Sequence, residues 1–139
     1  MTHAQTQLQI STNGQGLYEF TRDAVAFCAD SGIACGILTV YCRHTSASLT
    51  IQENADPDVI HDLSVFFKRL VSEDPNQYRH IAEGSDDMPA HIRSALTDVS
   101  LSVPVADGRP MLGTWQGLYL FEHRLRPHRR NVVLHLSGD

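Results

Sequence analysis

Four apolar residues in succession, Leu118-Tyr119-Leu120-Phe121, followed by a second run at Val132-Val133-Leu134, set the tightest limit on what this chain can fold into. Successive side chains of a strand point to opposite faces, so an unbroken apolar run must lose water on both faces at once. A chain of 139 residues is one domain's length, with no room for a second independent core. Such strands need a second packed layer or a neighbouring subunit to cover them. The expectation is therefore one domain over residues 1–139 of class α+β. It has a largely antiparallel β-sheet or sandwich core, two or three helices, and oligomeric packing.

Punctuation along the chain places the other elements. Residues 5–11 read as a first strand broken by Gly14 and Gly16, with Thr21 as N-cap of a helix to about Ser31 that Gly32 stops. From Ile33 to Cys42 the chain is β-rich, and Ser48 to Gln52 continues as its hairpin partner after the turn-like Arg43 to Ala47. Asn54-Ala55-Asp56-Pro57-Asp58 starts a second helix, on which Val59, Leu63, Phe66 and Leu70 recur at inward-facing spacing. Glu73 to Asp87 is polar, and Pro89 opens a short helix that carries Ile92 and Leu96 inward. Strands at Leu101–Val105, Gly117–Glu122 and Asn131–Leu136 follow, with Asp107-Gly108 as a turn.

Composition narrows the function classes. A net charge of -5 argues against a nucleic-acid binder. No apolar stretch reaches the roughly 20 residues of a membrane helix, and the first residues lack a secretory signal pattern, so a soluble, cytoplasmic protein is expected. Cys28, Cys35 and Cys42 are odd in number and form no CxxC pair, which reads as reduced core thiols. No P-loop, GxGxxG fingerprint or GxSxG elbow is present, and His44 with Ser46 on one strand does not make a hydrolase pair.

Polar residues crowd in three places: Arg43 to Ser48 leading to Glu53-Asn54-Ala55-Asp56, His80 to His91, and Gly113 to Gln116 ending in Glu122-His123. Asp56, Asp58, Asp86 and Asp87 are explained by helix starts, whereas Glu53 and Glu122 are not. An inward Glu122 needs an Arg or His partner. Arg124, Arg126, Arg129 and Arg130 make either a solvated turn or an anion site. Trp115 reads as a packing residue that is also able to wall a pocket for a flat heterocycle. His135 reads as a core residue, and His3, His61 and His128 as exposed.

The stretches HTSASLTIQENADPDVIHDL, HIAEGSDDMPAHI and LGTWQGLYLFEHR, in this order, resemble the signature segments of the YjbQ family. The resemblance spans nearly the whole chain and departs at Ser85, where an Asn is expected after Glu83-Gly84. It implies an α+β fold, a homotrimer, and a thiamine-phosphate-synthase-like transferase that joins a hydroxymethylpyrimidine diphosphate to a thiazole phosphate and releases pyrophosphate. Carried over residue by residue, His44, His80 and His91 become ligands of a divalent metal, zinc or magnesium. His44, Glu53, Asp56, Glu83 and Glu122 become catalytic candidates. Thr45, Ser46, Asn54, Trp115, Gln116 and Arg124 become substrate-binding candidates for a small phosphate or diphosphate. The rival expectations are a non-catalytic trimer holding metal or phosphate, and a metal-dependent phosphoesterase.

Overall fold

The computed structural model covers residues 1–139. Eight strands and three helices alternate: β1 (Thr2–Asn13), β2 (Gly16–Glu19), α1 (Thr21–Ser31), β3 (Gly36–Cys42), β4 (Ala47–Glu53), α2 (Pro57–Leu70), α3 (Asp87–Leu96), β5 (Ser100–Ala106), β6 (Arg109–Pro110), β7 (Gln116–Glu122) and β8 (Pro127–Gly138). One 3₁₀ turn, Pro75–Gln77, interrupts the polar segment before α3. The strands form two antiparallel sheets, ordered β1-β8-β3-β5-β6 and β2-β7-β4. This is the α+β class that the sequence implies.

One hydrophobic core joins the two sheets. Leu38, Val40, Val103, Val105, Val132, Leu134 and Leu136 enter it from the five-stranded sheet, and Leu49, Leu118 and Leu120 from the three-stranded one. Phe20, Ala24 and Cys28 of the α1 region complete it. Every residue of β7 after Gln116 is buried, as its unbroken apolar run requires. In β8 the pattern alternates instead, with Val132 and Leu134 buried and Val133 half-buried, so that strand loses water fully on one face only.

Several expectations change in the folded chain. β3 and β4 are not a hairpin: β3 pairs with β5 and β8, while β4 pairs with β7 in the other sheet. The connecting residues are held by partners distant in sequence, Cys42 N–H by Val99 O and Arg43 N–H by Asn131 O, which local turn chemistry does not reveal. Thr21 is the first residue of α1 rather than its cap; its Oγ1 donates to Glu19 and accepts the Leu118 N–H. Gly32 ends α1 at φ 74°, and the Asp56 side chain caps α2 by accepting the Asp58 N–H, both as expected. Cys35 is exposed, whereas Cys28 and Cys42 are core residues, and all three are free thiols.

The helix faces differ most. Phe66 is 47% exposed, Leu70 52% and Leu96 58%, although their spacing points them inward. Phe67, one position round the helix, packs edge-on against Phe121 with ring centroids 5.2 Å apart. Beneath α3, Arg93 is buried; it donates to the carbonyls of Phe67 and Val71 and to Glu73, tying α3 to the end of α2. Of the two residues expected inward on α3, Ile92 is half-buried and Leu96 exposed, and Arg93 is the long side chain buried beneath the helix.

Candidate functional site

The start of α3 gathers the chain's chemistry. Asp87 and His91 lie one helical turn apart, so their side chains meet on one face. Gly84, at φ 108°, turns the preceding loop so that His80 folds back on them. Asp87 Oδ2 stands 2.6 Å from His80 Nε2 and 3.1 Å from His91 Nε2. These three ligand atoms lie within 4.8 Å of one another.

The tautomer of His91 follows from its other nitrogen. Nδ1 lies 2.9 Å from the carbonyl oxygen of Thr45, which only accepts, so Nδ1 carries the hydrogen. If the ring is neutral, its Nε2 presents a lone pair beside Asp87 Oδ2, a pairing that a bound cation would satisfy; a doubly protonated ring would instead donate to that oxygen. A backbone carbonyl holding the far nitrogen is the usual way proteins orient a metal-binding imidazole. Two imidazoles and one carboxylate suit zinc or a related divalent ion and leave further coordination positions open.

Asp87 is nearly enclosed by protein. Burial works against its ionisation, but the contact with His80 and the Arg124 guanidinium outweigh it and hold the carboxyl below its ordinary range. Arg124 donates to Asp87 Oδ1 at 2.6 Å, to Asp86 Oδ2 at 2.9 Å and to Glu83 O at 3.0 Å. Its guanidinium, expected to contact substrate, thus anchors the carboxylate that faces the two imidazoles. Glu83 Oε2 lies 3.6 Å from His80 Nε2 on the exposed side.

His44 does not join this group. Its Nε2 accepts the Asn131 N–H at 2.7 Å, beside the buried pair formed by Glu122 and Arg130. Glu122 is fully buried and turned inward, with the arginine partner its position demands: Arg130 Nε donates to Oε1 at 2.8 Å, and Thr12 donates there too. Burial opposes ionisation of Glu122, but these bonds and the arginine charge keep its pKa low. Ser46 accepts from Arg130 through both its carbonyl and its hydroxyl.

A second set of expected site residues gathers elsewhere. Glu53 pairs with Gln116 at one end of the β4–β7 ladder and Ala47 with Glu122 at the other, about 20 Å apart at the usual rise per residue. At the far end, Glu53 accepts the Asp56 N–H, Asn54 donates to Glu19, and Gln116 accepts the Gly113 N–H. These contacts shape turns and the α2 cap. Trp115, expected to pack, is 60% exposed there. Within one chain, then, His80, Glu83 and His91 stand together with Thr45, and Glu53, Asn54, Asp56, Trp115 and Gln116 stand apart from them.

Sequence reasoning missed Asp87, assigned only to a helix start, although its i,i+4 relation to His91 was a usable signal. It also gave no role to His123, named only as the end of a polar segment. That ring is buried beside Phe121 and bonded to Ser48 at 2.8 Å. Burial, and then repulsion from Arg93 and Arg130, push its pKa down to about 3. Below pH about 6.5 the unfolded chain takes up a proton here that the folded chain refuses until about pH 3, so stability falls as pH drops through that window. The expected loss from this group between pH 7 and pH 5 is about 2 kcal/mol. Urea unfolding of His123→Gln at both pH values should show a shallower fall. Equal losses in variant and wild type would refute the assignment. The same sign holds for His44, lowered by burial and by Arg130, so the slope diminishes without vanishing.

Known proteins share this framework. The family model described as UPF0047 protein YjbQ-like matches residues 6–139. The UPF0047 protein sll1880 of a Synechocystis strain is 57% identical over 132 residues, covering 95% of this chain and 90% of that protein. The UPF0047 protein YjbQ of Escherichia coli O157:H7 is 42% identical over 136 residues, covering 97% and 98%. The crystal structure of a conserved hypothetical protein from Thermus thermophilus superposes with a TM-score of 0.85 at 33% identity, covering 95% of this chain and 99% of that one. With a full-length family match and relatives this close, the chain belongs to the YjbQ-like UPF0047 family.

Proposed function

We propose that this protein is a metal-assisted, thiamine-phosphate-synthase-like transferase with His80, Asp87 and His91 holding a divalent cation. The observation that supports the metal is the pair of imidazole Nε2 atoms gathered at one buried carboxylate oxygen, with His91 oriented through Nδ1 by the Thr45 carbonyl. Two of the three ligands expected by family resemblance are in this group, and Asp87 takes the place given to His44. The reaction is the resemblance's own: a bond forms between the pyrimidine methylene carbon and the thiazole nitrogen as the carbon–oxygen bond to diphosphate breaks. Pyrophosphate leaves with the electron pair. A bound divalent ion supplies charge neutralisation for that leaving group. Arg124 keeps Asp87 ionised and in register, Thr45 fixes the His91 ring, and exposed Glu83 is placed to exchange protons beside His80.

Two measurements test this. Elemental analysis of the purified protein should find close to one zinc or related divalent ion per chain, and pyrophosphate should be released only when both substrates are present. Metal without turnover would favour a binding protein, and release from one substrate alone would favour a phosphoesterase.

The homotrimer belongs to the same proposal. Phe66 and Leu70 expose apolar surface on one side of α2, where no other part of the chain covers them. A closed ring of three copies buries such side chains against a different patch of the next copy. Leu70→Glu or Phe66→Glu should lower the solution mass from three chains towards one, as read by light scattering; a wild-type mass already equal to one chain would end this reading. A cytoplasmic setting is supported by three free thiols, and no helix is long and apolar enough to cross a membrane.

A further inference from the structure

The end of β3 sends successive side chains to opposite faces of its sheet. Val40 and Cys42 turn into the core, so Tyr41 and Arg43 leave on the outer face, where Arg43 reaches Gln7 of β1. The chain entering β5 passes close by: Cys42 N–H donates to Val99 O, and Tyr41 lies opposite Ser100. An aromatic and a branched aliphatic side chain are thereby left open to water in one place, Tyr41 at 47% exposure and Val99 at 41%.

Both line an open cleft of about 340 Å³, together with Arg43, His44 and Thr45. A second cleft of about 410 Å³ shares His44, Thr45 and Val99 with the first and is also lined by His91 and Thr97. Each volume falls within the range of small-molecule sites, roughly 300–1,000 Å³. Thr45 ties the two clefts to the candidate metal group, because its carbonyl oxygen holds the His91 ring.

Charge selects the ligand. The chain carries a net charge of -5, yet no carboxylate lines either cleft. Arg43 supplies the fixed positive charge there. Its Nη1 donates to an uncharged acceptor, Gln7 Oε1, at 2.8 Å, whereas the arginine ion pairs of this chain belong to Arg93, Arg124 and Arg130. A guanidinium without a counter-charge in a carboxylate-free cleft suits an anion, phosphate above all. Tyr41 and Val99 add an apolar wall beside it, which suits a flat ring and gives nothing to a bare inorganic ion.

We propose that the joined clefts bind a small aromatic phosphate, with its ring against Tyr41 and Val99 and its phosphate on Arg43. As a statement about substrate this rests on the transferase reading above: a leaving diphosphate needs the cation, so the phosphate held by Arg43 is the one that stays on the acceptor heterocycle. As a ligand site it rests on the cleft lining alone. Of the substrate-binding residues expected by resemblance, Thr45 lines these clefts, and Trp115 and Gln116 do not.

The test titrates phenyl phosphate into full-length protein, both zinc-loaded and stripped by a chelator, with benzyl alcohol as the neutral ring and inorganic phosphate as the bare anion. Amide NMR shifts should saturate and should concentrate in residues 41–45 and 94–99, while the fluorescence of Trp115 stays unchanged. Arg43→Gln should weaken phenyl phosphate by about tenfold and leave benzyl alcohol unaffected. Tyr41→Ser should weaken both, and Tyr41→Phe should bind like wild type. Absence of saturable binding, shifts centred on residues 113–116 with quenching of Trp115, or an Arg43→Gln variant as tight as wild type would each overturn the site. Inorganic phosphate binding as tightly as phenyl phosphate would also overturn it, because the ring would then contribute nothing. Phenyl phosphate bound by a protein that takes up no zinc would leave the cleft standing and sink the metal reading. Zinc uptake without phenyl phosphate binding would do the opposite.

Discussion

Glu122→Gln should destabilise the protein by about 3–5 kcal/mol in urea unfolding at pH 7, among the largest effects of any single polar substitution here. Glu122 is wholly buried, and its two oxygens accept from Arg130, from Thr12 and from the backbone N–H groups of His123 and Arg124. An amide of the same shape replaces one acceptor oxygen with a donor NH₂ that faces other donors. It also leaves the buried guanidinium of Arg130 without its counter-charge, which costs more than the lost hydrogen bonds alone. The double change Glu122→Leu with Arg130→Met should cost less than the sum of the two single changes, because each partner is expensive mainly when left alone. A loss under about 1 kcal/mol for Glu122→Gln would show that this pair does not hold the β7–β8 corner together.

Asp87→Asn should lower divalent-metal affinity by at least about a hundredfold, roughly 3 kcal/mol, measured by zinc titration against a chelating dye. With its oxygen turned to Arg124, the asparagine turns an NH₂ group towards the two imidazoles and removes the charge that offsets the cation's desolvation. His91→Ala should be nearly as severe because it removes a ligand outright. His135→Ala, on the outer face of the five-stranded sheet, should leave zinc binding unchanged. Unaltered affinity in Asp87→Asn would exclude this group as the metal centre, and activity surviving in that variant would place the chemistry elsewhere.

The two substitutions separate what the residues do. Glu122 and Arg130 lock the end of β7 to β8 and thereby set Ser46 and His44, whereas Asp87 and its imidazoles hang from the first turn of α3. Arg124 links them: two residues beyond Glu122 in sequence, it reaches across to Asp86 and Asp87. Strand and helix are thus joined at the point where the candidate chemistry lies, so a packing change at the sheet corner has a direct route to the ligand geometry.

Local chemistry made much of this legible in advance. Gly32 had to stop α1, Asp56-Pro57 had to start α2, and the unbroken run in β7 had to lose water on both faces, because each follows from the conformational limits of residues close in sequence. The three polar segments were likewise visible, including the two imidazoles bracketing an acidic loop. Tertiary structure alone decided which of them meet. The partners of His91 and Asp87 include Thr45 and Arg124, 46 and 37 residues away, and those of Glu122 include Thr12, 110 residues away. Spacing cannot predict such encounters, because they are set by which strands pair, and β3 and β4 enter different sheets where local patterning suggested a hairpin. Phe66 and Phe67 make the same point in the core: the helical period fixed that one of them faces inward, and only the position of Phe121 chose which.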